Sequence, residues 1–294
     1  MHMDKIDFFA GCHGNFLEVI LDMFVYKNET LIGKSLFNDS GACHNKHILE
    51  EYQPSIQQNH FSHFKIPFDA NDRVVEIHVS ESDLLAAITN SMIRAGDEKI
   101  DVRNLHINTI NKLTSVTKAK GFLNDIIRQH GVQDNYSKHT IRNYFYSKLN
   151  DTSNGLDLMN TFNHTGSKHI FPLSAFFTLE EFYYNLNQCA YFLNLNFYPT
   201  EKCALLWQDF ISKNQGYHSQ QKCKLLIDAI LKQNSMPVID LTLIEEAWIL
   251  YKVSKIFRCY DHPLLISETF PTNTQEISDA VYAWKSKDYK AQEV

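Results

Sequence analysis

The chain has 294 residues, of which 44% are hydrophobic and 21% are charged, and this is the composition of an ordinary folded protein with a substantial core. Its formal net charge of -6 at pH 7 argues against a general nucleic-acid binder and against a protein held on anionic membranes by charge. We therefore expect a globular protein whose function does not depend on broad attraction to polyanions.

The six cysteines are scattered along the chain, and no two of them form a CxxC pair. This spacing predicts reduced, partly buried thiols rather than disulfides or a zinc site. The N-terminal sequence has no apolar leader, and no apolar run approaches the ~18 residues that a membrane helix needs. These features predict a cytoplasmic protein without a membrane span.

A strand, a glycine-containing loop and a helix are predicted at the start of the chain. Residues 5–10, KIDFFA, form an apolar run of the length of a short buried strand. The loop GCHG follows at once, with Gly11 and Gly14 at its ends. Residues 15–26 then show a helical pattern that is apolar on nearly every side, which is typical of a helix packed against a sheet.

A second unit of the same kind begins at residues 73–79, RVVEIHV, where apolar and polar residues alternate as in a strand. The segment that follows, SESDLLAAITNSMIR, predicts a helix with Ser80 or Ser82 as its N-cap. Between the two units lies a polar stretch, 27–72, in which HFKIPF is a candidate extended segment. Two strand–loop–helix units in succession predict an α/β fold in three layers around a short parallel sheet.

From about residue 100 onward the pattern is mostly helical. Residues 150–168 form the most loop-like stretch, rich in Asn, Thr, Ser and Gly. No internal repeat or interdomain linker is evident, so we expect residues 1–294 to form one α/β domain with a helix-rich C-terminal half. Three of the later helices are predicted to begin with capping boxes: Thr178 with Glu181, Thr242 with Glu245, and Thr272 with Gln275.

Two interpretations of the GCHG loop remain open. A glycine-containing turn from a strand into a helix points backbone N–H groups at one place and can bind a phosphate or sulfate there. Alternatively, the turn is only structural, and Asn15 and Glu18 form a capping box whose carboxylate would repel an anion. The loop has neither the Walker A pattern nor the three glycines of a dinucleotide-binding motif.

The order of these elements resembles that of the P-loop-type sulfotransferases, which use 3'-phosphoadenosine 5'-phosphosulfate (PAPS). In that family a strand enters a glycine-containing loop that wraps the phosphosulfate and leads into a buried helix, as FFAGCHGNFLEVIL does here. A histidine-containing element with a proline follows, similar to NHFSHFKIPF. A strand, a turn and a helix then bind the 3'-phosphate, as RVVEIHVSESDLLAAITNSMIR would in this chain.

The resemblance implies transfer of a sulfuryl group from PAPS to a hydroxyl or amine of a small-molecule or saccharide acceptor, with no metal. His60 or His63 would deprotonate the acceptor, and His13 would replace the family's loop lysine in stabilising the leaving phosphate. The cofactor-binding residues that it implies are Gly11, Cys12, His13, Gly14, Asn15, Phe16, Ser80, Ser82 and Arg94.

Other functions remain open from the residues alone. A catalytically silent protein of the same fold would serve as a nucleotide-binding or interaction module. A nucleotide-dependent phosphotransferase is disfavoured because the Walker lysine and its Mg²⁺-binding Ser or Thr are missing. The group Cys43, His44 and His47 offers three metal ligands within five residues, but it lacks the paired spacing of a zinc site.

Overall fold

The chain folds into two compact units, each built from two separate stretches of sequence. Residues 1–91 and 155–217 form the first unit, and residues 92–154 and 218–294 form the second. A single domain over 1–294 therefore stays a prediction. The computed structural model describes residues 4–8, 11–31, 34, 36–37, 52–60, 71–95, 136–154, 166–237, 240–259 and 263–291.

Four strands and nine helices lie in these ranges. The strands are β1 (Asp4–Phe8), β2 (Gln57–His60), β3 (Arg73–His78) and β4 (Ser167–Pro172). The helices are α1 (Gly14–Ile20), α2 (Leu84–Ala95), α3 (Lys138–Asn154), α4 (Leu179–Phe192), α5 (Glu201–Lys213), α6 (Gln215–Leu231), α7 (Leu243–Phe257), α8 (Pro263–Ile266) and α9 (Thr274–Ala291). A π-helical turn, Leu21–Val25, continues α1, and short 3₁₀ turns occupy Glu29–Leu31, Glu81–Asp83 and Leu173–Phe176. None of these helices is both long and apolar enough to cross a membrane.

The first unit contains a parallel sheet with the strand order β2-β1-β3-β4. In the register of β1 and β3, Ile6 pairs with Val75 and Asp7 pairs with Glu76. On the other side of β1, Phe8 pairs with His60 of β2. The predicted α/β class and the parallel pairing of the segments around 5–10 and 73–79 are therefore confirmed.

The two faces of this sheet differ in chemistry. Successive side chains of a strand alternate between faces, and paired residues of parallel strands share a face. One face is apolar and carries Ile6, Phe8, Val75, Ile77 and Phe171. The other, which we call the charged face, carries Lys5, Asp7, Glu76, His78 and Lys168.

Aromatic side chains cover the apolar face. Phe16 of α1 stacks on Phe210 of α5, with 3.9 Å between ring centroids and an interplanar angle of 5°. Phe171 of β4 meets Phe176 at 5.0 Å, and Phe182 of α4 lies 5.8 Å from Phe176. Because aromatic rings bury large areas of apolar surface, this cluster holds α1, α4, α5 and the sheet together.

Two strands of the sheet were not predicted. β2 has the sequence QQNH, which has no apolar residue, and β4 begins with SKH. The first residues of β4 fall in the stretch that was expected to be a loop, and the strand interrupts the region expected to be mostly helical. Both strands flank the central pair β1 and β3, and outer strands do not need the apolar runs of central parallel strands.

A buried arginine organises the second unit. Arg142 of α3 is fully buried, and its guanidinium donates to the Glu246 carboxylate of α7 at 2.9 Å. The same guanidinium donates to the carbonyls of Leu264, at 2.9 Å, and Ser267. Since a planar guanidinium offers five donors, one side chain connects α3, α7 and the turn after α8.

Two of the predicted helix starts are confirmed. At α7 the Thr242 hydroxyl accepts the N–H of Glu245, and the Glu245 carboxylate accepts the N–H of Thr242, which completes a capping box. At α4 the Thr178 hydroxyl accepts the N–H of Glu181, so Thr178 is the N-cap.

The third predicted helix start is wrong by one residue. The N-cap of α9 is Asn273, whose side-chain oxygen accepts the N–H of Glu276 at 2.9 Å. The carboxylate of Glu276 accepts the N–H of Thr272 at 2.8 Å, so the pair predicted as Thr272 with Gln275 is in fact Thr272 with Glu276. Asn is preferred over Thr at the N-cap, so the residue types agree with the observed start.

Candidate functional site

The sheet order creates a crevice at the carboxyl ends of β1 and β3. The chain passes from β1 to β2 on one side, and then to β3 on the opposite side of β1. In open parallel sheets, ligands bind at this point, where the strand order reverses. The GCHG loop follows β1 and Ser80 and Ser82 follow β3, so the structure brings the two predicted phosphate-binding segments to neighbouring strand ends.

The backbone of the loop has two left-handed residues. Gly11 has a φ of 87° and His13 has a φ of 64°. His13 is also the N-cap of α1, so a left-handed residue is followed directly by helical backbone. Alternation of this kind forms a concave nest of N–H groups, which is a recurrent anion-binding geometry.

The helix start differs from the predicted capping box of Asn15 and Glu18. The helix begins earlier, at Gly14, and its N-cap His13 makes no side-chain capping bond. Glu18 instead accepts a hydrogen bond from the Tyr52 hydroxyl at 2.9 Å. Its carboxylate therefore has a tertiary partner, but it keeps its negative charge because the tyrosine hydroxyl is neutral, so the argument against an anion at this helix end stands.

One of the predicted backbone donors is already used within the helix. The N–H groups of Phe16 and Leu17 both donate to the carbonyl of His13, at 2.9 and 3.0 Å. Because the ring of Phe16 also belongs to the aromatic cluster, neither its backbone N–H nor its side chain is directed to a ligand. The N–H groups of residues 12–15 stay candidates for binding an anion, in a loop whose residues 11–15 are all buried.

The His13 side chain is part of a buried polar network. Its Nε2 atom lies 3.2 Å from Nδ2 of Asn90 and 3.0 Å from Nδ2 of Asn214. The amide oxygens of these residues accept the N–H groups of Gly216 and Tyr217, which fixes the orientation of both amides. Both NH₂ groups then donate to Nε2, so the imidazole is neutral with its proton on Nδ1.

The other loop side chains are enclosed as well. The His13 ring packs edge-on against Phe176 and Phe210, with centroids 5.3 and 4.8 Å away. Cys12 and Asn15 are buried, at 0% and 4% exposure. Any ligand of this loop would meet its backbone rather than its side chains.

Five cysteines are buried reduced thiols, as predicted: Cys12, Cys189, Cys203, Cys223 and Cys259.

The turn after β3 presents hydroxyl groups. Ser80 is the N-cap of the 3₁₀ turn Glu81–Asp83, and its hydroxyl donates to the Asp83 carboxylate at 2.6 Å. The Ser80 and Ser82 hydroxyl oxygens are 2.6 Å apart, and Ser82 is exposed. Since β3 neighbours β1, a ligand held by the loop at 11–15 would find hydroxyl groups at the next strand end.

The remaining predicted residues are placed less completely. His60 is the last residue of β2, in register with Phe8 of β1, which puts it at the same edge of the sheet. Arg94 lies in α2. His63 and the group Cys43, His44 and His47 lie outside the described residues.

The charged face of the sheet contains a cluster that sequence reasoning missed. Asp7 and Glu76 are adjacent in the register of β1 and β3, and they are 0% and 1% exposed. Neither carboxylate oxygen of Asp7 has a hydrogen-bond partner among the residues that the structure describes, and the same holds for Oε1 of Glu76. The other oxygen of Glu76 accepts from Nζ of Lys168 at 2.8 Å.

Asp7 titrates near neutral pH as a consequence of this arrangement. Burial raises the pKa of its carboxyl from 3.8 to about 7, the Glu76 carboxylate adds to the rise, and Lys168 opposes it. The imidazole of His78 lies two residues beyond Glu76 on the same face, with Nδ1 3.9 Å from Oε1 of Glu76. An acidic residue inside the apolar run KIDFFA was the signal for this cluster.

No group of three or more side chains suited to a metal ion occurs in the part of the chain that the structure describes. Comparison with known proteins identifies no relative, since no family model matches and neither a curated protein nor a solved structure matches significantly.

Proposed function

We propose that this protein is a cytoplasmic group transferase that moves a sulfuryl group from PAPS to a hydroxyl or amine of a small-molecule or saccharide acceptor. The observation that supports it best is the position of the two predicted phosphate-binding segments. The loop at 11–15 and the turn at 80–82 follow the two strands that flank the point of strand-order reversal.

In this proposal the backbone N–H groups of residues 12–15 bind the 5'-phosphosulfate. The left-handed His13 followed by helical Gly14 gives the N–H groups a concave arrangement. The exposed Ser82 hydroxyl donates to the 3'-phosphate of the same nucleotide, whereas Ser80 keeps its hydroxyl proton on the Asp83 carboxylate. His13 acts through its backbone only, because its imidazole already accepts from Asn90 and Asn214.

A second candidate function is a nucleotide-binding module without catalysis. The specific observation in its favour is that no lysine or arginine occurs between residues 11 and 16, and that the His13 imidazole is neutral and enclosed. The charge of a leaving phosphate would then be stabilised by N–H dipoles alone, although a cationic partner is an important part of such transfers.

A thermal-shift experiment on the full chain tests the proposal. Adenosine 3',5'-bisphosphate and PAPS should raise the melting temperature more than ATP or NAD at equal concentration, because only they carry both phosphate positions. Ser82→Glu places a negative charge on an exposed residue of the turn and should reduce the shift. The matched control Gln188→Glu, on the exposed side of α4, should leave it unchanged.

Equal shifts for the parent and the Ser82→Glu variant would refute the placement of the nucleotide at this crevice. If neither adenosine 3',5'-bisphosphate nor PAPS raises the melting temperature, the proposed function is refuted. Nucleotide binding without transfer to pools of alcohols, phenols, amines and saccharides would favour the non-catalytic module.

A further inference from the structure

His78 occupies a distinctive place at the crevice. It is the last residue of β3, which is one of the two strands that flank the reversal of strand order. Its side chain is 39% exposed, whereas Glu76 beside it on the same face is 1% exposed. A titratable group therefore meets solvent at the edge of the sheet and has a buried carboxylate behind it.

The Glu76 carboxylate is arranged to orient this imidazole. Lys168 holds Oε2 of Glu76 at 2.8 Å, which leaves Oε1 for a second partner. Oε1 has no hydrogen-bond partner in the described ranges, and Nδ1 of His78 is 3.9 Å away. Catalytic hydrogen bonds are often long before substrate binds, and a small rotation of the imidazole would bring these two atoms together.

The pairing decides which ring nitrogen accepts a proton. With Nδ1–H directed to Glu76, Nε2 carries the lone pair, and it lies on the side of the ring away from the carboxylate. A base oriented by a buried carboxylate is the arrangement that activates hydroxyl nucleophiles in other enzymes. His60 lies at the same edge of the sheet. We choose His78 because the buried carboxylate of Glu76 lies beside its ring.

We propose that His78 is the general base of the transfer reaction and that Glu76 is its positioning residue. This inference rests on the proposed function. Nε2 of His78 takes the proton of the acceptor hydroxyl as the acceptor oxygen forms its bond to sulfur. The bond between sulfur and the phosphate oxygen breaks, and its electron pair leaves with adenosine 3',5'-bisphosphate.

Three variants of the full chain test this assignment in transfer from ³⁵S-labelled PAPS to the best acceptor found among alcohols, phenols and saccharides. His78→Gln should lower turnover on the order of 10²–10⁴-fold, as loss of a general base does, and should keep the thermal shift with adenosine 3',5'-bisphosphate. His60→Gln tests the competing candidate base, and the exposed control His218→Gln should retain turnover.

Glu76→Gln separates positioning from a general structural effect. It should lower kcat with little change in KM for PAPS, because a neutral amide is a weaker acceptor for Nδ1–H than a carboxylate. Asp7 and Lys168 also face Glu76, and loss of the Glu76 charge lowers the pKa of Asp7 and removes the ion-pair partner of Lys168. Glu76→Asp should restore part of the rate.

The outcomes distinguish the two proposals. Full turnover of His78→Gln, or loss of turnover only in His60→Gln, overturns the role of His78 while sulfuryl transfer stands. An unchanged kcat in Glu76→Gln overturns the positioning role. A parent protein that neither binds the nucleotide nor transfers the label overturns the proposed function, and the inference fails with it.

Discussion

The ring of Phe8 lies in the space that a Cβ on Gly14 would occupy. Phe8 ends β1 on the apolar face, and Gly14 begins α1, so the contact closes the loop between them. Glycine at position 14 is thus required by packing against a fully buried ring. Position 11 requires glycine for a different reason, since its backbone φ of 87° is unfavourable for other residues.

We expect Gly14→Ala to lower the free energy of unfolding by about 1–3 kcal/mol, the usual cost of overpacking. In the background of Phe8→Ala the same substitution should cost much less, because all three ring atoms that approach the Cβ position are removed. Urea unfolding of the parent, the two single variants and the double variant measures the coupling. Additive effects of the two substitutions would show that the ring does not exclude a side chain at position 14.

Asp7 should make stability decrease as the pH rises from about 4 to about 7. Its pKa is about 7 in the folded protein and 3.8 without burial, so the folded state binds more protons across this range. The slope of the free energy of unfolding against pH is then negative, and the loss is complete above the folded pKa. This difference between the pKa of Asp7 in the folded and the unfolded chain corresponds to about 4 kcal/mol in the free energy of unfolding.

Asp7→Asn should remove this contribution, and chemical denaturation at pH 4, 6 and 8 measures it. The variant should show a flatter pH dependence than the parent, whatever its absolute stability. Glu180→Gln, on the exposed side of α4, is the control and should keep the slope of the parent. Parallel curves for parent and Asp7→Asn would contradict the neutral-pH titration of Asp7.

Asn214 is predicted to stabilise the first unit through two hydrogen bonds. Its amide donates to Nε2 of His13, and its oxygen accepts the N–H of Tyr217 in α6. Asn214→Ala removes one of the two donors to Nε2 and the acceptor of the Tyr217 N–H, and should cost about 1–3 kcal/mol in the free energy of unfolding. Asn187→Ala, on the exposed side of α4, should stay within about 0.5 kcal/mol of the parent.

Nitrogen NMR of ¹⁵N-histidine-labelled protein checks the tautomer directly. The spectrum of His13 should show a protonated Nδ1 and an unprotonated Nε2 at neutral pH. A doubly protonated ring would mean that the two amides are oriented the other way and accept from it.

Arg142 should be the most costly single position in the second unit. Arg142→Met leaves the Glu246 carboxylate and two backbone carbonyls without their donor and should lower the free energy of unfolding by about 3–5 kcal/mol. Adding Glu246→Leu should recover part of the loss, because the remaining carboxylate is then removed. A double variant that is less stable than Arg142→Met would show that Glu246 has other, independent partners.

The central strands and most helices of this fold could be predicted because each carries its own pattern. β1 and β3 are apolar runs that lead into helices, and Thr242 and Glu245 stand at capping spacing. β2 has no such pattern, since QQNH becomes a strand only by pairing with β1. The neighbouring ends of β1 and β3 were within reach of the sequence for the same reason, whereas the reversal of strand order depends on β2 and was not.

The charged face could not be predicted, because it depends on what covers the sheet. Glu76 and His78 alternate with apolar residues, which is the pattern of side chains that face solvent, yet Glu76 is 1% exposed. The partners of His13 lie at positions 90 and 214, and the sequence has no local signal that joins them. Tertiary contacts of this kind decide the role of a buried polar residue.

The interleaving of the two units has a consequence for the order of synthesis. The stretch 1–91 contains β1, β2 and β3, but β4 and the aromatic residues of α4 and α5 reach the ribosome exit only after 92–154 has been made. Until then only α1 can cover the apolar face of the nascent sheet, and the rest of that face is exposed to aggregation unless a chaperone or the ribosome surface shields it. A chain truncated at residue 154 should aggregate when expressed alone, whereas one extended through residue 217 completes the first unit.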